Sequence, residues 1–161
     1  MKKEQLSQIF EKTKKEYCRL HPENADIIGS AELPEIKIMS DKKFFAQYGD
    51  CYRGLYLKGG KIVINESSDD GTIAHEFVHY LQDLTHNLKK GSGDDVISWR
   101  NYLAGKPDEV EAYAIGHVVG RRHCDPELLS ALAFYGYHIA VDLGSRELYV
   151  EIIKKGEENG V

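Results

Sequence analysis

The sequence lacks the features that mark several large classes of protein. It has only three cysteines among 161 residues, Cys18, Cys51 and Cys124, and they lie far apart with no CxxC pair. This usage indicates neither a disulfide framework nor a cysteine zinc site, so we expect reduced thiols. No apolar run approaches the roughly 18–20 residues that span a bilayer, and none follows the N-terminal lysines as in a signal peptide. We therefore expect a cytoplasmic protein that does not contact a membrane.

Positive charge is also in short supply. The chain has 21 Lys and Arg against 26 Asp and Glu, a net charge of -5, which argues against a nucleic-acid partner. The basic runs at residues 12–15 and 121–123 are typical of solvated helix faces. With 42% hydrophobic and 29% charged residues, the chain has the balance of a globular protein, and its length is that of one ordinary domain. We expect residues 1–161 to form a single domain.

The order of periodic patterns predicts an α+β fold. A small antiparallel or mixed sheet is expected to pack on an active-site helix and on further helices. Helical spacing predicts an amphipathic helix at residues 2–20, and alternation predicts a strand at residues 35–39. Two β-type runs at residues 52–57 and 61–65, joined through Gly59 and Gly60, predict a hairpin. The predicted helices that follow cover residues 70–88, 107–122, 126–141 and 145–155.

The most informative segment is His75-Glu76-Phe77-Val78-His79, an HExxH sequence inside a predicted helix. Residues four apart on a helix differ by only about 40° in direction, so both imidazoles project from one face and can bind one metal ion. Glu76 lies beside them, where it can accept a proton from a water at the metal. A chain with seven histidines in 161 residues is expected to contain this pattern by chance far less than once. The segment predicts a Zn²⁺ site.

A catalytic zinc usually has three protein ligands, so a third is required. In the metzincin arrangement a glycine and then a histidine would follow His79, but Gln82 and Thr85 occupy those positions. His86 shares the face of His75, but eleven residues along a helix are about 16 Å, too far to share one ion. The third ligand must come from another element.

Two glutamates on the helix predicted after Pro107 are candidates. On a helical wheel Glu111 falls in the middle of the apolar arc, and Glu109 falls on the opposite side. A carboxylate aimed into a core is costly unless it is paired or binds a metal. We therefore predict Glu111 as the third ligand, with Glu109 as the alternative; a buried ion pair of Glu111 with Arg53 or Arg100 is the structural alternative.

The HExxH segment, followed 32 residues after His79 by Glu111 within Glu-Ala-Tyr-Ala, resembles the gluzincin metallopeptidases. The short chain is most similar to their minimal single-domain members, the minigluzincins and their bacterial and phage relatives. The resemblance implies a minimal zincin-like fold and a glutamate on a second helix as third ligand. It also implies that the hairpin of residues 52–65 forms the rim of a cleft and pairs with an extended peptide or protein substrate.

The sequence departs from this family at one position. Thermolysin-like gluzincins have an Asp four residues after the ligand Glu to orient the first zinc histidine, and Ile115 stands there instead. Asp108, Asp83 or a backbone carbonyl is expected to replace it. The group that stabilises the transition state remains open among five residues: Tyr113, Tyr135, Tyr137, His117 and His138. Tyr52, Tyr56 and Trp99 are candidates for an aromatic cleft edge or for core packing.

The leading hypothesis is a zinc-dependent endopeptidase in which Glu76 is the general base and His75, His79 and Glu111 hold the ion. One alternative is a zinc-containing regulatory or protein-binding module with restricted or no proteolysis. The other is a zinc hydrolase of a non-peptide amide.

Overall fold

The fold is described from a computed structural model that covers residues 2–49, 52–57, 59–85, 106–142 and 148–155. Its helices and strands belong to the predicted α+β class. In chain order they are α1 (Lys3–Leu20), α2 (Ala25–Ser30), β1 (Glu35–Met39), α3 (Asp41–Tyr48), β2 (Gly54–Leu57), β3 (Lys61–Asn65), α4 (Asp70–Leu84), α5 (Pro107–Val119), α6 (Pro126–Phe134), β4 (Tyr137–Asp142) and β5 (Tyr149–Lys155). None of the helices within these ranges combines the length and the apolar character needed to cross a membrane.

The amphipathic helix predicted at the N-terminal end is confirmed as α1. Its apolar stripe is buried, and the ring of Phe10 lies 4.9 Å from that of Phe77 on α4. The helix ends at Leu20, because His21 precedes Pro22, which restricts the backbone of the residue before it. The C-terminal end of α1 is thereby placed beside the pair formed by α4 and α5.

The predicted hairpin is confirmed as part of a three-stranded mixed sheet with the order β1-β3-β2. β2 runs antiparallel to β3, with Gly54 opposite Ile64 and Leu57 opposite Lys61. Gly59 and Gly60, at φ of 111° and 99°, form the turn in a conformation that side chains disfavour. The central strand β3 is almost entirely buried, and β2 is an edge strand of this sheet.

Helices α4 and α5 pack in unusually close contact through glycines. A Cβ atom added at Gly116 would lie 2.7 Å from the carbonyl oxygen of Gly71, and one at Gly120 would lie 2.8 Å from the Cα of Gly71. Arg122, just beyond α5, bonds to Asp69 and Thr72 at the start of α4. These contacts hold the HExxH helix against the helix that carries the candidate third ligands.

Of the last two predicted helices, the first is too long and the second is a strand where the structure describes it. The helix predicted at residues 126–141 ends at Phe134, because Gly136 adopts a φ of 80° and turns the chain into strand β4. The segment predicted as a helix at residues 145–155 contains strand β5, which pairs antiparallel with β4. Val150 and Ile152 are buried while Glu151 and Ile153 are exposed, the alternation of a strand with one buried face. Residues 143–147 lie outside the described ranges.

Candidate metal centre

Helix α4 begins at a well-defined cap and is buried on two sides. Asp69 accepts a hydrogen bond of 2.8 Å from the backbone N–H of Thr72, as an N-cap residue should. The apolar stripe, with Phe77 at its centre, faces the core, and the polar stripe with His75 and His79 is buried against α5. The predicted helix extended to residue 88; α4 ends at Leu84, and residues 86–88 lie outside the described part of the chain.

The two histidines of the HExxH segment converge as predicted. Their Nε2 atoms are 3.1 Å apart and their rings are nearly perpendicular. Oε1 of Glu109 on α5 lies 3.6 Å from Nε2 of His75 and also contacts Nε2 of His79. Within the described residues these three side chains form the single group of potential metal ligands whose donor atoms all lie within 4.8 Å of one another.

The donor set suits a zinc ion by its chemistry. Two imidazole nitrogens and one carboxylate oxygen are a usual set for catalytic zinc, with metal–ligand bonds near 2.0–2.1 Å. A tetrahedron with such bonds has edges of about 3.3 Å. The separations of 3.1 Å between the histidines and 3.6 Å between His75 and Glu109 are close to those edges, whereas Glu109 and His79 lie closer together than such an edge. With a small separation of Glu109 from His79, the three side chains could supply three corners and leave a fourth for water or substrate.

The structure brings Glu109, the alternative third ligand, to the histidines and does not bring Glu111 there. Oε2 of Glu111 accepts hydrogen bonds of 2.9 Å from His21 and 2.8 Å from Tyr137. The helical wheel correctly predicted that Glu111 is buried, but α5 is buried around most of its circumference, so burial does not tell which residue meets the histidines. Glu109, two residues earlier and about 200° away around the helix, is the one that contacts them. Arg53, one predicted partner of Glu111, lies instead over the ring of Phe45, and Arg100 is outside the described residues.

The electrostatics of the cluster reflect mutual stabilisation of opposite charges. Burial alone would raise the pKa of Glu109, but hydrogen bonds and charge from His75 and His79 outweigh it and hold that pKa far below the ordinary value. Burial alone would lower the pKa of His79, but Glu109 raises it. Glu109 is therefore a carboxylate, the form that binds a cation.

Glu76 is placed between the HExxH helix and the edge strand. Its side chain is buried, and burial raises its pKa despite the opposing charges of the two histidines. The backbone N–H of Tyr56 on β2 faces the carboxylate. Gly54, the first residue of β2, provides the space that this side chain occupies, because a Cβ there would lie 3.1 Å from Cγ of Glu76. The raised pKa makes the Glu76 carboxylate a stronger base than an exposed glutamate.

Gln82 is a polar residue beside the cluster for which the sequence predicted no role. Its Oε1 lies 2.8 Å from Nδ1 of His79, the second histidine of the motif, and so supports that ring. Its position three residues after His79, on the same helix face, is the signal that could have identified it. Of the predicted supports, Asp83 accepts a hydrogen bond from Tyr56, and Asp108 contributes its backbone carbonyl to Gln82. Nδ1 of His75 is buried and has no hydrogen-bond partner among the residues that the structure describes.

Among the five candidates for a transition-state stabiliser, Tyr113 is the one whose ring lies against the metal-binding group. Its ring centroid is 4.2 Å from that of His75. Nδ1 of His117 hydrogen-bonds the backbone carbonyl of Tyr113, and Tyr137 is committed to Glu111. Tyr135 and His138 flank Gly136 and Tyr137 at the start of the β4–β5 hairpin, and His138 is exposed.

Two of the three candidates for an aromatic cleft edge, Tyr52 and Tyr56, lie beside or on the edge strand β2. Tyr52 is exposed and precedes β2, while the Tyr56 hydroxyl donates to Asp83 on α4, which ties the edge strand to the HExxH helix. Trp99 and His86 lie outside the described residues.

Comparison with known proteins finds no matching family, no matching curated protein and no matching solved structure.

Proposed function

We propose that this protein is a zinc-dependent endopeptidase of minimal, zincin-like architecture, in which His75, His79 and Glu109 hold the ion. The observation that carries the proposal is the convergence of the two Nε2 atoms and the Glu109 carboxylate directly beside the buried carboxylate of Glu76. The HExxH sequence supports it independently, because the two ligands and the base need this spacing on a helix.

Glu76 performs the proton transfers in the proposed reaction. Zinc, when bound, supplies Lewis acidity that polarises a peptide carbonyl and makes a water a better nucleophile. Glu76 accepts a proton from that water as the carbon–oxygen bond forms. It then delivers the proton to the amide nitrogen as the carbon–nitrogen bond breaks, which leaves a carboxylic acid and an amine.

The edge strand β2 supports a peptide as the substrate. Within the described residues β2 pairs with β3 on one side, and no strand pairs with its other side. The Tyr56 N–H and the Glu76 carboxylate face each other there, so an extended peptide that added to this edge would bring its backbone to the base. Addition of a strand to a free edge is a general mode of peptide recognition.

The test combines metal content with proteolysis. Purified protein is expected to hold one zinc per chain and to cleave members of a fluorogenic peptide library. Glu76→Gln should keep the zinc and lose cleavage by at least about 100-fold, the lower range for general acid–base catalysis. The matched control is Glu127→Gln, the same chemical change at an exposed position on α6, which should behave as the wild type.

Each contrary outcome has a distinct meaning. Equal proteolysis by the wild type and Glu76→Gln would exclude Glu76 as the base. A zinc-loaded protein that cleaves no library member would support a regulatory or protein-binding module with a restricted target. Cleavage of small non-peptide amides but not of peptides would support the non-peptide hydrolase.

A further inference from the structure

The carboxylate of Glu111 lies at the centre of a buried polar network. Only 4% of the residue is exposed, and it receives hydrogen bonds from Tyr137 at 2.8 Å, His21 at 2.9 Å and Nε2 of Gln82 at 3.3 Å. The donors come from β4, the end of α1 and α4. A buried carboxylate with three donors is satisfied in its charged form.

The network fixes the orientation of the Gln82 amide. Its Nε2 lies 3.1 Å from the carbonyl oxygen of Asp108 and 3.3 Å from Oε1 of Glu111. Both of these oxygens are acceptors only, so the amide NH₂ must face them and the amide oxygen must face the other way. That oxygen is the atom 2.8 Å from Nδ1 of His79.

The orientation of the amide in turn fixes the proton on His79. An amide oxygen only accepts, so Nδ1 of His79 must donate and therefore carries hydrogen. Nε2 is the atom that points to His75 and Glu109, and when a metal ion displaces the proton that Glu109 favours there, the neutral ring presents its lone pair from that atom. This is the tautomer that a zinc ligand bound through Nε2 requires.

We infer that Glu111 is a positioning residue that acts through Gln82 to hold His79 with Nδ1 protonated and Nε2 directed at the metal. The inference rests on the proposed metal site but not on peptide hydrolysis. It also gives the buried carboxylate a role: together with the Asp108 carbonyl, it supplies an acceptor that keeps the Gln82 amide from turning over.

A double-mutant cycle on zinc affinity tests the inference. The variants are Glu111→Gln, Gln82→Met and the two together, with the zinc dissociation constant measured by competition with a chelator. Each single change should weaken zinc binding about 10- to 100-fold, the range for groups that orient a ligand. The double variant should match Gln82→Met alone, because Glu111 has no other route to the metal.

Three other patterns would overturn it. If Glu111→Gln weakens binding equally with and without Gln82→Met, Glu111 acts directly on the ion. If Glu111→Gln lowers the free energy of unfolding but leaves the zinc affinity unchanged, its role is structural. If Gln82→Met binds zinc like the wild type, the Gln82 amide does not position His79. Glu127→Gln is the control that should change neither quantity.

A second measurement keeps the inference separable from the proposed function and from misfolding of Glu111→Gln. Nitrogen-15 NMR of the wild-type histidine rings should show a slowly exchanging proton on Nδ1 of His79, with or without zinc, and Gln82→Met should accelerate its exchange. If the wild type binds no zinc but shows this proton, the metal site is refuted, while the control of the His79 tautomer by Gln82 stands. An Nδ1 without a proton would refute the positioning role itself.

Discussion

A carbon atom added at Gly116 would lie 2.7 Å from the carbonyl oxygen of Gly71, closer than any side chain tolerates. The contact joins the first turn of α4 to the last turns of α5. It sets the separation between the helix that carries His75 and the helix that carries Glu109. The two histidines are placed by α4 alone, but the position of Glu109 relative to them depends on the separation between α4 and α5.

Gly116→Ala should therefore separate α4 from α5. We expect a loss of about 1–3 kcal/mol in the free energy of unfolding, the usual cost of overpacking, together with weaker zinc binding as Glu109 moves away. Urea denaturation and chelator competition measure the two effects. Gly29→Ala is the control, because a Cβ at Gly29 meets nothing within 4 Å; that change should leave zinc binding intact and not destabilise the fold.

Glu109→Ala should abolish stable zinc binding at neutral pH. Loss of a direct ligand should weaken affinity by more than the roughly 10- to 100-fold that follows loss of an orienting group, so its effect should exceed that of Glu111→Gln. Metal content after gel filtration measures it. If Glu109→Ala retains zinc and Glu111→Ala loses it, the original prediction of Glu111 as a ligand is correct and the observed geometry is not that of the zinc-loaded protein.

Gly54→Ala should impair catalysis without impairing metal binding. The new methyl group would lie 3.1 Å from Cγ of Glu76 and 3.3 Å from Cγ2 of Ile64, so the base must shift while the ligands stay in place. Since small misplacements of a catalytic group are costly, we expect kcat to fall about 10-fold with an unchanged zinc dissociation constant. Parallel losses of both quantities would show that β2 supports the ligands as well as the base.

The cap of α4 should make part of the stability depend on pH. Hydrogen bonds and charge from Arg122 and Thr72 lower the pKa of Asp69, although burial alone would raise it. The contribution is therefore present above the unfolded pKa, near 4, and is lost as the pH falls through the lower folded value. Asp69→Ala should cost about 1 kcal/mol at pH 7, and the difference from wild type should shrink in urea titrations below pH 4. Asp70→Ala, one residue later and exposed, is the control and should show a smaller loss at pH 7.

The parts of the site that local sequence patterns encode could be predicted, and the parts that depend on distant contacts could not. His75 and His79 are four residues apart on one helix, so helix geometry alone brings them together. The β2–β3 hairpin is similarly local, since Gly59 and Gly60 fix its turn. By contrast, Glu111 meets His21 across 90 residues, and no periodicity in either segment points to the other.

The choice between Glu109 and Glu111 illustrates a related physical limit. A helical wheel identifies the buried face of a helix only when one face is buried, and α5 has buried residues around most of its circumference. Strands β4 and β5 were not predicted, because the alternation of buried and exposed residues in each is short. Gly136 was the signal available, since a glycine after an apolar helix is a common helix stop.

The residues that surround Glu111 are synthesised at widely separated times. His21 is synthesised first, the proposed ligands are complete at residue 109, and Tyr137, a donor to Glu111, comes 28 residues after Glu109. A nascent chain that ends between these two points has every proposed ligand but lacks one of the groups that hold Glu111. The hydrogen bonds around Glu111 are thus complete only after β4 has formed, although β4 contributes none of the proposed ligands.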